Sequence, residues 1–211
     1  LANPGAEIDG HTPANYGMRG KESERPIYVE VLNSDGTLVL EQDAGVRVYG
    51  GWSRSNDMKS LKLFARKEYD EVNNKFRYPF FSTALDEGGN LVDSFKRLVL
   101  RAYGNDINSA FIREELFQTL AKQSGYVAKS VRPAAVYVNG DYFGAYYLTE
   151  PYHESYFEEH YRKFDGVMEI LEGGELFKEG ESDGSNQYAV DDYVNMYDKY
   201  AYADLTDDAT Y

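Results

Sequence analysis

Two apolar runs, Ala135-Val136-Tyr137-Val138 and Tyr142 to Leu148, meet across Asn139-Gly140 with a single Asp141 after the turn. Asn-Gly accepts the two positive φ angles of a type I′ turn at little cost, and that turn closes a tight antiparallel hairpin. Strands joined this closely cannot be parallel neighbours, which need a crossover of a dozen residues or more. The rest of the chain must therefore be compatible with antiparallel pairing at this point.

The remaining patterns agree. Residues 27–32 alternate as a strand, and Asn33-Ser34-Asp35-Gly36 turns into a second at 37–40. Further strands are expected at 45–49, 59–65 and 76–80, and residues 95–102 read as a buried one. The clearest helix runs from Asp106 to Ser124. Asn105 or Asp106 caps it, Ile112, Leu116 and Leu120 recur every fourth residue, and Gly125 ends it. After the hairpin, helical spacing returns at 153–162 and 189–203, with a strand at 166–171 and a Gly/Glu/Ser-rich loop at 173–187. His153 and His160 lie seven apart on one helical face and read as surface residues. Strands with one helix among them, followed by helices, describe an α+β chain rather than a doubly wound parallel sheet.

Charge is unevenly spread. The net charge over 211 residues is −14, and from Glu150 onward 17 acids face four bases, whereas the first 149 residues carry 19 acids and 18 bases. Between Arg47 and Arg101 the balance reverses, to 11 basic against seven acidic residues. A chain this acidic is a poor general binder of nucleic acid, which needs cations to displace condensed counterions. Its acidic half suits a basic or metal-bearing partner. The absence of cysteine removes disulfides and thiolate metal sites, and the three histidines show no metal spacing. No apolar run is long enough for a membrane span.

The stretch GVRVYGGWSRSNDMKSLKLFARKEY, residues 45–69, poses a local question. Alternation from Lys59 groups it with Leu61, Leu63 and Ala65, the inward set, and turns Lys62 outward to solvent. An inward lysine needs an anionic partner. The competing reading is that Lys59 sits at the strand mouth and reaches back to water. Arg47 falls opposite Val46 and Val48, on the wet face.

Taken in order, the segments GVRVYGG-SR-KSLKLFARKEY, KRLVLRAYGND with IREELFQTL, and RPAAVYVNGDYFGAYYLTEP resemble the CotH family of spore-coat-associated and secreted bacterial proteins. NYGMRGKESERPIYVEV and FDGVMEILEGG resemble its larger secreted members. The resemblance implies an atypical protein-kinase fold: an arm at 1–26, a mainly antiparallel small lobe at 27–150, and the start of a helical large lobe at 151–211. It further implies ATP with Mg²⁺ or Mn²⁺, transfer of phosphate to serines of basic coat or surface proteins, and an extracellular, cell-surface or spore-coat location.

By the same resemblance, Lys59 is the strand lysine and Glu114 the helix carboxylate that orients it. Arg47, Gly50, Gly51, Arg54 and Lys62 lie near the nucleotide phosphates, and Glu150 marks the hinge. The usual GxGxxG is reduced to Gly50-Gly51 with Ser53 and Arg54. The family's downstream motifs resembling Trp-Asp-Tyr-Asp and Asn-Tyr-Asp are absent, so no metal ligands are assigned. The chain, opening on Leu1 and closing on DLTDDATY, is expected to be a piece of a longer one. Trp52 and the hairpin tyrosines (Tyr137, Tyr142, Tyr146, Tyr147) sustain the alternative of a non-catalytic extracellular module that binds polysaccharide or a protein.

Overall fold

A computed structural model describes residues 16–106, 108–161, 171–172, 175–176 and 187–201. Its centre is a six-stranded, wholly antiparallel sheet built from β1 (Arg25–Leu32), β2 (Leu38–Tyr49), β3 (Ser60–Phe64), β6 (Arg97–Arg101), β8 (Asp141–Thr149) and β7 (Val131–Val138), in that spatial order. Two short strands, β4 (Phe76–Arg77) and β5 (Ser94–Phe95), pair separately between β3 and β6. Helix α1 (Arg113–Gln123) connects β6 to β7, and α2 (Glu154–His160) follows β8. Residues 1–164 form one compact unit and 165–211 a second. In the second, β9 (Leu171–Glu172) pairs with β10 (Glu175–Leu176), and α3 (Gln187–Ala201) follows. The strand expected at 166–171 falls, except for Leu171, outside the described residues. Among the described residues no helix is long and apolar enough to cross a membrane.

The Asn139-Gly140 hairpin forms as its sequence requires, with φ angles of 53° and 87° at the turn. A bulge beside Val136 shifts the register, so Tyr137 pairs with Tyr142. Two expectations need correction. The separate strands at 37–40 and 45–49 are one twelve-residue strand, because pairing with β1 continues through Glu41, Gln42, Asp43 and Ala44. Gln42 is buried there and donates to the Asn73 carbonyl (2.8 Å). The strands expected at 76–80 and 95–102 are each shorter or divided. The connection between β3 and β6 instead folds Phe80 and Phe81 against Phe95.

Those rings complete the core on one face of the sheet, where Val46, Val48, Leu61, Leu63, Leu98 and Leu148 are buried. Helix α1 begins seven residues later than expected, yet Asp106 still serves it. The Asp106 carboxylate accepts from the Arg113 (3.0 Å) and Ala110 (3.2 Å) amides, and these bonds hold its pKa below the ordinary carboxylate value. At the other end Tyr126 N–H bonds the Ala121 carbonyl and Gly125 N–H that of Lys122, closing the helix in a Schellman motif.

Candidate functional site

The opposite face of the sheet is cationic. Arg47 of β2 pairs in register with Lys62 of β3, and Lys62 with Val99 of β6. One row away, Gly45, Phe64 and Arg97 stand side by side. Arg97, Val99 and Arg101 alternate with the core residues Leu98 and Leu100, so three consecutive strands contribute cations to the same face. The Phe64 ring is its centre. Guanidinium carbons of Arg47 (4.3 Å), Arg66 (4.7 Å) and Arg97 (5.6 Å) and the Lys62 ammonium (5.8 Å) all lie over it. Each lies within the range where the ring quadrupole attracts a cation.

Glu24, just before β1, supplies a buried carboxylate to this cluster. It accepts from Arg66 (2.9 and 3.3 Å) and from the Tyr69 hydroxyl (3.1 Å), and lies 3.7 Å from Arg47. Burial and the neighbouring Glu24 charge push the Tyr69 phenol far above its usual value, so it remains a donor. Gly45 makes the approach possible. A β-carbon there would stand 2.5 Å from both a Glu24 oxygen and the Tyr69 ring.

Lys62 is 1% exposed, the reverse of the outward position expected from alternation. Alternation sorts residues only where one face is wet, and all five residues of β3 are buried. Lys59 immediately precedes the strand. Its ammonium donates to the Asn56 carbonyl (2.7 Å) and lies 4.5 Å over the Tyr16 ring. Arg47 is likewise buried, not on a wet face.

The loop between β2 and β3 is held by its own arginine. Arg54 donates to the carbonyls of Gly50, Tyr16 (3.3 Å) and Met18 (3.0 Å). Gly50 has φ 112°, and a β-carbon on it would collide with the Ser53 hydroxyl, whereas Gly51 is exposed with open space around it. Asn56 ties the loop across to the Gly104 carbonyl (3.3 Å).

Glu114 does not meet Lys59. It accepts from Arg101 Nε (2.8 Å), a pair between the strand before α1 and the first turn of that helix. Its neighbour Glu115 is buried, and desolvation raises its pKa.

Glu150, at the end of β8, is 2% exposed. It accepts from the Ser130 amide (3.1 Å) and faces His160 Nε2 at 2.5 Å. His160 is buried rather than on the surface, with Nδ1 2.9 Å from the Leu85 carbonyl. A carbonyl only accepts, so Nδ1 carries hydrogen, and the Nε2 facing a carboxylate calls for a second proton. Burial pulls the imidazole pKa down, but the bonds to Glu150 and Leu85 outweigh it and leave it raised. Lys122 of α1 donates to the Ser130 hydroxyl (2.6 Å), so α1, β7, β8 and α2 share one polar network. Burial lowers the Lys122 pKa.

Sequence reasoning missed Glu24, Phe64, Arg97, Arg101 and His160. The alternation of Arg97, Val99 and Arg101 was a usable signal, since arginines on one side of a buried strand each need an anion or a ring to meet. Glu24 had none, because its role depends on a contact with residues more than 40 positions away. Among the described residues no three His, Asp or Glu side chains gather to hold a metal ion. They offer cations suited to an anion with several oxygens, and a helix carboxylate that fixes one of those cations.

A protein-family model described as CotH kinase protein matches residues 46–209, and the chain belongs to that family. No curated protein matches the chain.

Proposed function

Starting from membership of the CotH kinase family, we propose that this chain forms the nucleotide side of a kinase that transfers the ATP γ-phosphoryl group to serine hydroxyls. The supporting observation is the buried cationic face on β2, β3 and β6, where Arg47, Lys62 and Arg97 surround Phe64. Phosphoryl transfer needs little covalent help from the protein. It depends on holding the chain of phosphates in line and on fixed positive charge near the non-bridging oxygens. Cations embedded in a sheet meet that need because they reorganise little as charge develops.

Of the two lysines in the KSLKL segment, we assign the phosphate role to Lys62, which lies on the cationic face with its ammonium 5.8 Å from the centre of the Phe64 ring that Arg47 and Arg97 also cover. Arg101, held by Glu114, takes the place of the strand cation paired with a helix carboxylate in protein kinases. Arg54 and Lys59 then shape the loop with Gly50 and Gly51. Glu150 anchors the end of β8 as a positioning residue. ATP would bring Mg²⁺ or Mn²⁺, whose charge would neutralise phosphate oxygens. The described residues offer no ligand cluster for the ion. The acidic stretch from Glu150 onward suits basic substrates of a spore coat or cell surface, and a large lobe continuing from α2 would present them.

Calorimetry with ATP and Mg²⁺ or Mn²⁺ tests this reading. Lys62→Met should weaken nucleotide binding by at least about tenfold with thermal stability retained, and Lys59→Met should change it little. Loss with Lys59→Met alone returns the role to that residue. No nucleotide binding, with retention on a polysaccharide that depends on Tyr137 and Tyr142, favours the non-catalytic module; both tyrosines are exposed on the hairpin.

A further inference from the structure

Helix α1 is amphipathic with its polar side turned inward. Glu114 bonds Arg101, Gln118 accepts from the Lys129 amide (3.0 Å), Lys122 bonds Ser130, and Glu115 is buried. The apolar residues that define the helix in sequence lie on its outer side. Phe111, Ile112, Leu116, Phe117 and Leu120 each expose between 45% and 67% of their surface. Tyr126 and Val127, directly after the helix, are exposed further. A core-facing helix shows the opposite arrangement. Scattered apolar residues are normal on a surface, but a contiguous patch of this kind marks an interaction site.

We propose that this outer face of α1 is a dimer interface, and that its occupant is α1 of a second copy of the chain. Three features favour a second copy. The first is self-complementarity. Ile112, Leu116 and Leu120 form one i, i+4, i+8 ridge that is symmetric about Leu116. An antiparallel two-fold pairing sets Leu116 against Leu116 of the partner subunit and Ile112 against Leu120 of the partner subunit. Interlocking of such ridges is the commonest way helices pack. An isologous contact of this form closes after two copies.

The second is area. Seven side chains of these sizes, each between 45% and 72% exposed, present on the order of 800 Å², one partner's share of a standard interface. The third is charge. A chain of net charge −14 repels itself, but the acids are concentrated from Glu150 onward. The first 149 residues, which carry α1, hold 19 acids against 18 bases. The compact unit that carries the patch, residues 1–164, holds 23 acids against 20 bases, so its share of the self-repulsion is small. Pairing there would also hold from outside the helix whose inner side fixes Arg101.

The absence of cysteine gives a direct test. A Leu116→Cys chain should form a crosslinked dimer with a short bis-maleimide, whereas Leu32→Cys, on the exposed edge strand β1, should not. Sedimentation of the unmodified chain should show a concentration-dependent dimer. Leu116→Asp should raise its dissociation constant by at least about 30-fold, the loss expected at a hot spot. A chain that stays monomeric at high concentration, crosslinking no greater at 116 than at 32, or a dimer indifferent to Leu116→Asp would each overturn the proposal.

Discussion

The two faces of the central strands β2, β3 and β6 are chemically opposite. On one, Val46, Leu63 and Leu98 pair across β2, β3 and β6 and pack against Phe76, Phe80, Phe81 and Phe95. On the other, the residues alternating with them are Arg47, Lys62 and Arg97, gathered about Phe64. Apolar burial is nondirectional and favourable wherever it occurs. Burial of cations is favourable only where specific partners are aimed at them, and replacing such a group by a hydrophobe of similar volume is often neutral or stabilising. One face therefore accounts for most of the stability, and the other is the face to which the proposed nucleotide role is assigned.

Substitutions should separate these roles. The largest effect is expected from Phe95→Ala, which empties a fully buried site in contact with Phe80 and Phe81. A loss of about 3–5 kcal/mol in denaturant unfolding is expected, against little or none for Lys62→Met. Equal losses from the two would end the distinction between the faces. Glu24→Gln should come next, at about 3 kcal/mol, because it leaves Arg66 and Arg47 beside an uncharged amide in a buried cluster. Added phosphate should recover part of that loss if the face binds anions.

A third test concerns acidic groups on α2, which packs near β5. Burial pushes the Glu159 carboxyl up to about 7, although the Lys96 amide and Lys75 pull against it. His160 is raised as well. Both groups hold more protons folded than unfolded, so stability falls as pH rises. For Glu159 the loss runs from the unfolded carboxyl value to about 7 and is on the order of 3 kcal/mol. The His160 contribution is fully present below the unfolded imidazole value and disappears above the raised folded one. Melting curves between pH 5 and 8 should show this decline, and Glu159→Gln should flatten its lower part; an unchanged profile would show that Glu159 does not titrate in this window. The smallest effect is expected at Asp106. Removing its cap on α1 with Asp106→Ala should cost about 1 kcal/mol and loosen the Arg101–Glu114 pair, which a reduced affinity for ATP would report.

Much of the frame was legible in the residues. Asn139-Gly140 gave the hairpin, the order of strand and helix patterns gave the α+β class, and Asp106 was readable as a cap although its helix starts further on. The periodicity of Ile112, Leu116 and Leu120 identified α1 but not its orientation, since a pattern specifies a stripe and not what covers it. Lys62 was assigned outward and is buried, whereas Lys59, assigned inward, stands half-buried just before β3. Alternation carries two states, and β3 has neighbours on both faces.

By itself, then, the sequence determined which segments extend, which coil and where they reverse, because turn chemistry and periodicity act within a few residues. Tertiary structure alone decided that Lys62 rather than Lys59 joins the buried cations, that Glu114 meets Arg101, and that Glu24 crosses over Gly45 to reach Arg66. These pairings depend on sheet register and on contacts between residues distant in the chain. Local preference cannot specify them, and desolvation makes them decisive.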